Sequence, residues 1–294
     1  MKHDSPLRRP ARPRPAGDRP GWRRVLAEDF TRPVPVGGFV ADATGTLTAA
    51  GAAGHAAYGP DGAAGTEIRV YPDGWPTTHR NGIWAPSRTL SVRTDVAGAD
   101  GVLDIHHHTA VPGPGSGGPG GSGARPLGAA VWFPLPAFGG AFRIGPYLLI
   151  EYRARSVGFA AGAPSHFHGV PLLIDSRSVE LWRAGGELNW FEADLRPDGP
   201  VAGWYHRADP AGSKERVAGP PGAVLGDWHV YTIEWSPGRV RFGCDGDICL
   251  DTATMTPTAP LAFLIQSEPV PPGPDPATEG HLQVDWITVH RYAG

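Results

Sequence analysis

Cysteine is nearly absent from this 294-residue chain. Only Cys244 and Cys249 occur, both in GCDGDIC, so no disulfide framework can hold the fold together. Asp245-Gly246 between them reads as a two-residue hairpin turn. That register sets 244 against 247 and 242 against 249, leaving the two sulfurs diagonal and unsuited to the narrow geometry of a disulfide. Lysine is scarcer than its charge partner, with 2 Lys among the 26 basic residues. Long apolar runs are missing too, which excludes a membrane-spanning helix and the hydrophobic segment of an export signal. As written, the chain is therefore expected in the cytoplasm, or outside the cell if translation starts elsewhere. No Gly-x-Ser-x-Gly elbow, Walker loop or His-Glu-x-x-His occurs, so serine hydrolase, nucleotidase and zincin chemistry have no footing.

What is plentiful is glycine (42), proline (33) and tryptophan (10). Hydrophobic residues at 40% exceed what a disordered chain carries, so the Gly and Pro belong to turns of a β-rich core. Charge is uneven. Residues 1–24 hold eight Lys or Arg and two Asp, and with five prolines read as a disordered basic arm. The remaining body, 25–294, is acidic, which argues against nucleic acid as a partner and gives no reason to expect a membrane. A Gly/Pro-rich stretch at 111–126 reads as a loop. Its Gly113-x-Gly115-x-x-Gly118 has neither a strand before it nor a helix after it, so it is composition and not a dinucleotide site.

Runs at 102–109, 147–155, 187–194, 229–235, 239–244, 261–268 and 281–292 are rich in β-branched and aromatic residues and bounded by turn signals. Many short strands without helices predict an all-β, two-sheet sandwich or barrel.

The stretch ELNWFEAD carries the chemistry. On a plain strand Glu187 and Asn189 share one face, while Glu192, five positions on, points away. One β-bulge around Trp190-Phe191 brings Glu192 back to the Glu187 face, and Leu188 with one aromatic then enters the core. Two carboxylates leaning together approach roughly 5–5.5 Å, the spacing of retaining glycosidases. Trp182, Trp190 and Trp204 lie close in sequence, and flat aromatics suit sugar rings. Other clusters point less sharply. His106 and His108 share a strand face but lack an acidic or thiol partner at ligand spacing. His166-x-His168 reads as cleft lining on a loop. Asp245-x-Asp247-x-x-x-Asp251 reads as a hairpin, since it lacks the glycine and closing glutamate of a calcium loop.

GELNWFE (186–192) resembles the Glu-x-Asp-x-x-Glu signature of the family 16 glycoside hydrolases, the laminarinase and endo-β-1,3(4)-glucanase group, departing from it at Asn189. WHVYTIEWSPGRVRFGCDGD and HLQVDWITVHRY resemble that family's hairpin and closing strand, and 71–87 and 101–109 its early strands. The resemblance implies a concanavalin A-like jelly roll and a retaining, endo-acting hydrolase of β-glucan. Glu187 would be the nucleophile and Glu192 the acid and base. Trp182 and His206 would line the cleft, Asn81, Trp84, Gln266 and Glu268 are further candidates for it, and Trp190 and Trp204 join them on their flat aromatic rings alone. It implies no required cofactor, a polysaccharide or oligosaccharide partner and a monomer. A structural calcium would sit at Glu28 and Asp285; by its residues alone Asp285 is a hydrogen-bonding strand carboxylate. An asparagine that donates to Glu187, and removes a negative neighbour, is expected to lower the Glu187 pKa and leave activity reduced or shifted to acid pH. The alternative is a binding protein using the same cleft without turnover.

Overall fold

In a computed structural model, the structure describes residues 14–39, 56–57, 67–110, 124–175 and 178–294. Two sheets face each other. The first has eight strands, in the order Asp247–Thr252, Arg239–Cys244, His229–Ser236, Leu148–Val157, Gly280–Tyr292, Val102–His107 and Leu90–Arg93, with Trp22–Glu28 also paired to the Gly280–Tyr292 strand. The second, of twelve, runs Lys214–Ala218, Ala202–His206, Glu187–Trp190, Phe167–Ile174, Leu261–Pro269, Arg125–Trp132, Glu67–Val70 and Ala56–Ala57, with four short strands attached. Pairing is antiparallel except at Ile83–Trp84, which runs parallel to Arg125–Trp132. Only three short helical segments occur among the described residues, and none is long and apolar enough to cross a membrane.

Alternation builds the layers. In the Leu148–Val157 strand, Leu148, Ile150, Tyr152 and Ala154 enter the core, while Glu151 and Arg153 turn to the outside of the first sheet. In the second sheet Leu188, Trp190, Tyr205, Phe263 and Ile265 face inward. The opposite face carries its own apolar group, Tyr71, Trp84, Ala130, Trp132, Val170, Leu172 and Leu264, with Trp75 and Phe142 packed against it. That outer face of the second sheet is where the acidic strand presents Glu187.

Three boundaries differ from the sequence reading. Residues 1–13 lie outside the description, but the arm does not extend to Arg24: a strand begins at Trp22, and Arg19 makes two hydrogen bonds of 2.8 and 2.7 Å to Glu151. Paired arginines, not composition, decide that segment. Most of the 111–126 loop also lies outside the description, and its end, Arg125-Pro126, opens a strand. His168 is on a strand, not a loop, since Phe167–Ile174 runs through Gly169 between Ser267 and Ala193. The hairpin at Asp245-Gly246 is as expected, with positive φ at both residues (53° and 92°). Cys244 pairs with Asp247, but a bulge then sets Phe242 against Leu250, and both thiols are free.

Candidate active site

The bulge is present. Trp190 pairs with Gly203, and the next inter-strand bond runs from Glu192 N to Ala202 O at 2.8 Å, so Phe191 is the extra residue. Phe191 holds φ at +71°, a backbone region that costs a non-glycine residue roughly 1–3 kcal/mol and concentrates at functional sites. Gly203 permits the tight pairing, because a Cβ there would lie 2.3 Å from Asn189 O and 2.7 Å from the Trp190 ring. Both Trp190 and Phe191 are wholly buried in the core. Trp190 is therefore no sugar platform: it shares the parity of Leu188, stacks on Phe242 at 5.3 Å and donates its indole N–H to Gly243 O.

A short helix, Val179–Gly185, delivers the next side chain. Ser178 caps it, accepting from Leu181 N at 3.1 Å, and Gly186, at φ +78°, turns the chain into the acidic strand. Trp182 is thereby laid back over Glu187 and donates its Nε1–H to Oε2. His206 pairs in register with Glu187, and its Nδ1 lies 3.9 Å from the same oxygen.

Asn189 joins the two acids. Its Nδ2 is 2.9 Å from Glu187 Oε1 and 2.7 Å from Glu192 Oε2, one hydrogen of the amide for each. The reverse orientation would set a carbonyl oxygen against two carboxylates, so the network fixes the amide. Those two carboxylate oxygens can be no farther apart than both bonds end to end, about 5.6 Å.

Burial pushes the Glu187 carboxyl up from 4.5 to about 7, against the lowering effect of the Asn189 and Trp182 hydrogen bonds. The asparagine's own effect is the expected lowering, but the net shift is upward. The asparagine does donate as anticipated, but desolvation of a carboxylate only 7% exposed outweighs it. His206 goes the other way, down to about 4, by burial and then by Lys214, so it faces Glu187 as a neutral imidazole.

Glu192 is half-buried and lines an open cavity of about 400 Å³ with Pro164, Asp194, Arg196, Pro200 and Arg216. Trp204 stands in register with Asn189 on one side and Arg216 on the other, half-exposed, with the Lys214 ammonium 4.6 Å over its ring. Lys214, Arg196 and Arg216 were not singled out from the sequence. The alternation in KERVA, set two strands from the acids, is the signal that could have found Lys214 and Arg216.

The other candidates lie farther along the strand pairing of the same sheet, near Tyr71 and His168. Gln266 is half-buried, with Nε2 3.4 Å from Tyr71 Oη. Trp84 is 3% exposed, edge-on to Tyr71, and cannot offer a ring face. Glu268 is buried and accepts from Thr78 N at 2.6 Å, with His168 Nε2 at 3.5 Å and His79 Nδ1 at 3.8 Å. Both were placed by residue type, and tertiary packing has consumed them. Asn81 sits in the loop over that end, its amide atoms buried without a hydrogen-bond partner.

Of the two residues expected to hold calcium, Asp285 already has a cationic partner. Asp285 is bonded to the Arg153 guanidinium, which fills the cation's role, and Glu28 Oε1 accepts from Asp29 N and Phe30 N. The stacked His106, His108 and His281 rings aim their in-plane lone pairs side by side rather than at a common point.

No protein-family profile matches the chain, and no curated protein does. Solved structures do. The chain is similar to SCLam, a non-specific endo-β-1,3(4)-glucanase of family GH16, at 16% identity and TM-score 0.62 over 95% of this chain and 94% of that one. It is similar to the endo-β-1,3-glucanase of Pyrococcus furiosus at 14% identity, TM-score 0.60, over 96% and 99%. LamA of Z. galactanivorans, solved with laminaritriose and laminaritetraose, aligns at 14% identity, TM-score 0.58, over 91% and 98%. The fold is thus the jelly-roll sandwich of these glucan hydrolases, as the sequence resemblance implied.

Proposed function

We propose that this protein is a retaining, endo-acting glycoside hydrolase of β-glucan, with Glu187 as nucleophile, Glu192 as acid and base, and Asn189 as the residue that positions both. The observation that carries this is the single amide nitrogen bridging the two carboxylates. It keeps the two bridged oxygens within about 5.6 Å of each other, which supports a double displacement over an inverting arrangement with a water between the acids.

The roles follow from surroundings. Glu187 is fixed from three sides and needs only to swing its carboxylate at an anomeric carbon. Glu192 lines the open cavity, where a leaving oxygen and then a water can reach it. In the first step Glu187 bonds the anomeric carbon as the glycosidic bond breaks, and Glu192 gives its proton to the departing oxygen. In the second, Glu192 takes a proton from water, which displaces Glu187 with a second inversion. Trp182 and Trp204 supply ring faces for the sugars, and no metal or cofactor takes part. Glucan oligosaccharides of the kind bound by LamA are the first substrates to try.

A panel of β-1,3- and mixed-linked glucans, with Glu187→Ala as blank, tests the reading. Hydrolysis with retained anomeric configuration, followed by NMR of the first product, is expected. Release of the inverted anomer would refute the mechanism. One observation favours a second reading, a carbohydrate-binding protein: the amide at 189 cannot pass a proton to Glu187 as a carboxyl could. Saturable glucan binding with no cleavage, in wild type and in Asn189→Asp alike, is the result that reading requires.

A further inference from the structure

Across the core from the acidic strand, at the open end of the sandwich, the His229–Ser236 and Arg239–Cys244 strands bring three metal-ligating side chains together. Tyr231 and Cys244 pair in register and are both fully buried. His229 shares their face, two residues before Tyr231. The Asp245-Gly246 turn folds the Asp245 carboxylate back over the strand. Its Oδ1 accepts from Val230 N at 2.9 Å, and its Oδ2 lies 2.7 Å from His229 Nδ1. The other ring nitrogen, Nε2, lies 3.1 Å from Val224 O.

Both partners of this imidazole are acceptors. A neutral ring has one N–H and cannot satisfy two. An Nε2–H given to the Val224 carbonyl would be the arrangement that orients metal-binding histidines. In that arrangement Nδ1 turns a lone pair toward the Asp245 carboxylate, a pairing that a cation shared by the two would stabilise. That cation is either a proton or a metal ion.

Cys244 decides between them. One ligand atom each from His229, Cys244 and Asp245 lie within 4.8 Å of one another. A tetrahedral zinc with bonds of about 2.0–2.3 Å separates its ligands by roughly 3.3–3.8 Å, so the 2.7 Å contact between Nδ1 and Oδ2 opens as the ion enters. The strand bulge after Ile248 leaves Cys249 unpaired in the ladder, packed on the same core cluster as Cys244. We propose that His229, Cys244 and Asp245 bind a thiophilic divalent cation of the zinc type, with Cys249 or water as fourth ligand. Mixed nitrogen, sulfur and oxygen donors select such an ion over magnesium or calcium. Binding expels the Cys244 thiol proton and any proton on Nδ1.

The ion ties the hairpin to the Val224 loop. It stiffens the wall behind the bulge, where Phe191 packs edge-on to Tyr231 at 5.0 Å.

The test is a cobalt(II) titration of the chelator-treated full chain. One cobalt per chain is expected, with a thiolate-to-cobalt charge-transfer band that zinc abolishes by displacement. Cys244→Ser should remove the band, and His229→Gln and Asp245→Asn should each weaken binding at least about tenfold. Cys249→Ser should halve the band if Cys249 is the fourth ligand and leave it unchanged if water is; either result upholds the site. No band from wild type with a native circular dichroism spectrum overturns it. So does a band that survives Cys244→Ser, or a 15N spectrum in which His229 keeps protons on both ring nitrogens after one equivalent of zinc.

Discussion

The outer faces of the two sheets treat their charges differently. On the first sheet acids meet bases: Asp285 with Arg153, Glu151 with Arg19, Asp251 with Arg239 and Arg241. On the second sheet Glu187 and Glu192 meet a tryptophan N–H and an asparagine amide, and the nearest ring nitrogen belongs to a neutral histidine. Salt bridges would have held both glutamates ionised and inert. Neutral donors hold them in place and leave burial free to move a pKa to where catalysis can use it. A structural charge is cancelled, whereas the two charges that the proposed function uses are only positioned.

The comparison can be broken at several points. The largest effect is expected from Glu187→Ala, which should cut kcat on laminarin by about 10⁴-fold or more with little change in fold, as removal of a nucleophile does. Loss of less than tenfold would move the chemistry elsewhere. Next comes Arg153→Met, which strands the buried Asp285 and should cost about 3–5 kcal/mol in chemical unfolding while leaving kcat per folded molecule unchanged. If it altered kcat instead, the two faces would not be separable.

Much of this division was legible in the sequence. Glu187, Asn189 and Glu192 needed only strand parity and one bulge, and ELNWFE contains both acids and the aromatics that back the bulge. The eight-stranded sheet follows from runs such as HVYTIEW and RVRFGC, where alternation and turn residues agree. What stayed hidden depends on distant partners. Trp190 looked like a platform until parity with Leu188 put it inside. Trp84 and Glu268 are consumed by loops arriving from elsewhere in the chain. The Glu187 pKa was misjudged because hydrogen-bond donors are written in neighbouring residues, whereas desolvation is the sum of a whole packed surface.

A third prediction sharpens the burial effect. The folded Glu187 pKa of about 7 lies above its ordinary 4.5, so the folded chain retains a proton that the unfolded chain releases. Stability from this group is therefore complete below about pH 4.5 and lost as pH rises through 7. Glu187→Gln should match wild type near pH 4 and exceed its unfolding free energy by about 2–3 kcal/mol at pH 8. Equal stability at both pH values would mean the carboxylate is better solvated than its burial implies. Asn189→Asp places a third acid between the other two. It should move the acid limb of kcat upward by about one pH unit and raise the plateau turnover, since a carboxyl can share a proton with Glu187. An unmoved limb with unchanged or lower turnover would show that the amide does not set the pair. The smallest effect belongs to Arg239→Ala on the exposed pair with Asp251, expected to change stability by no more than about 1 kcal/mol.

The most direct measurement is the pH dependence of kcat/KM on laminarin. With Glu187 required as a carboxylate and raised by burial, the rate should climb with a midpoint near 7. A midpoint near 4.5, the ordinary value of a glutamate in water, would contradict the claim that neutral donors and burial together tune this pair.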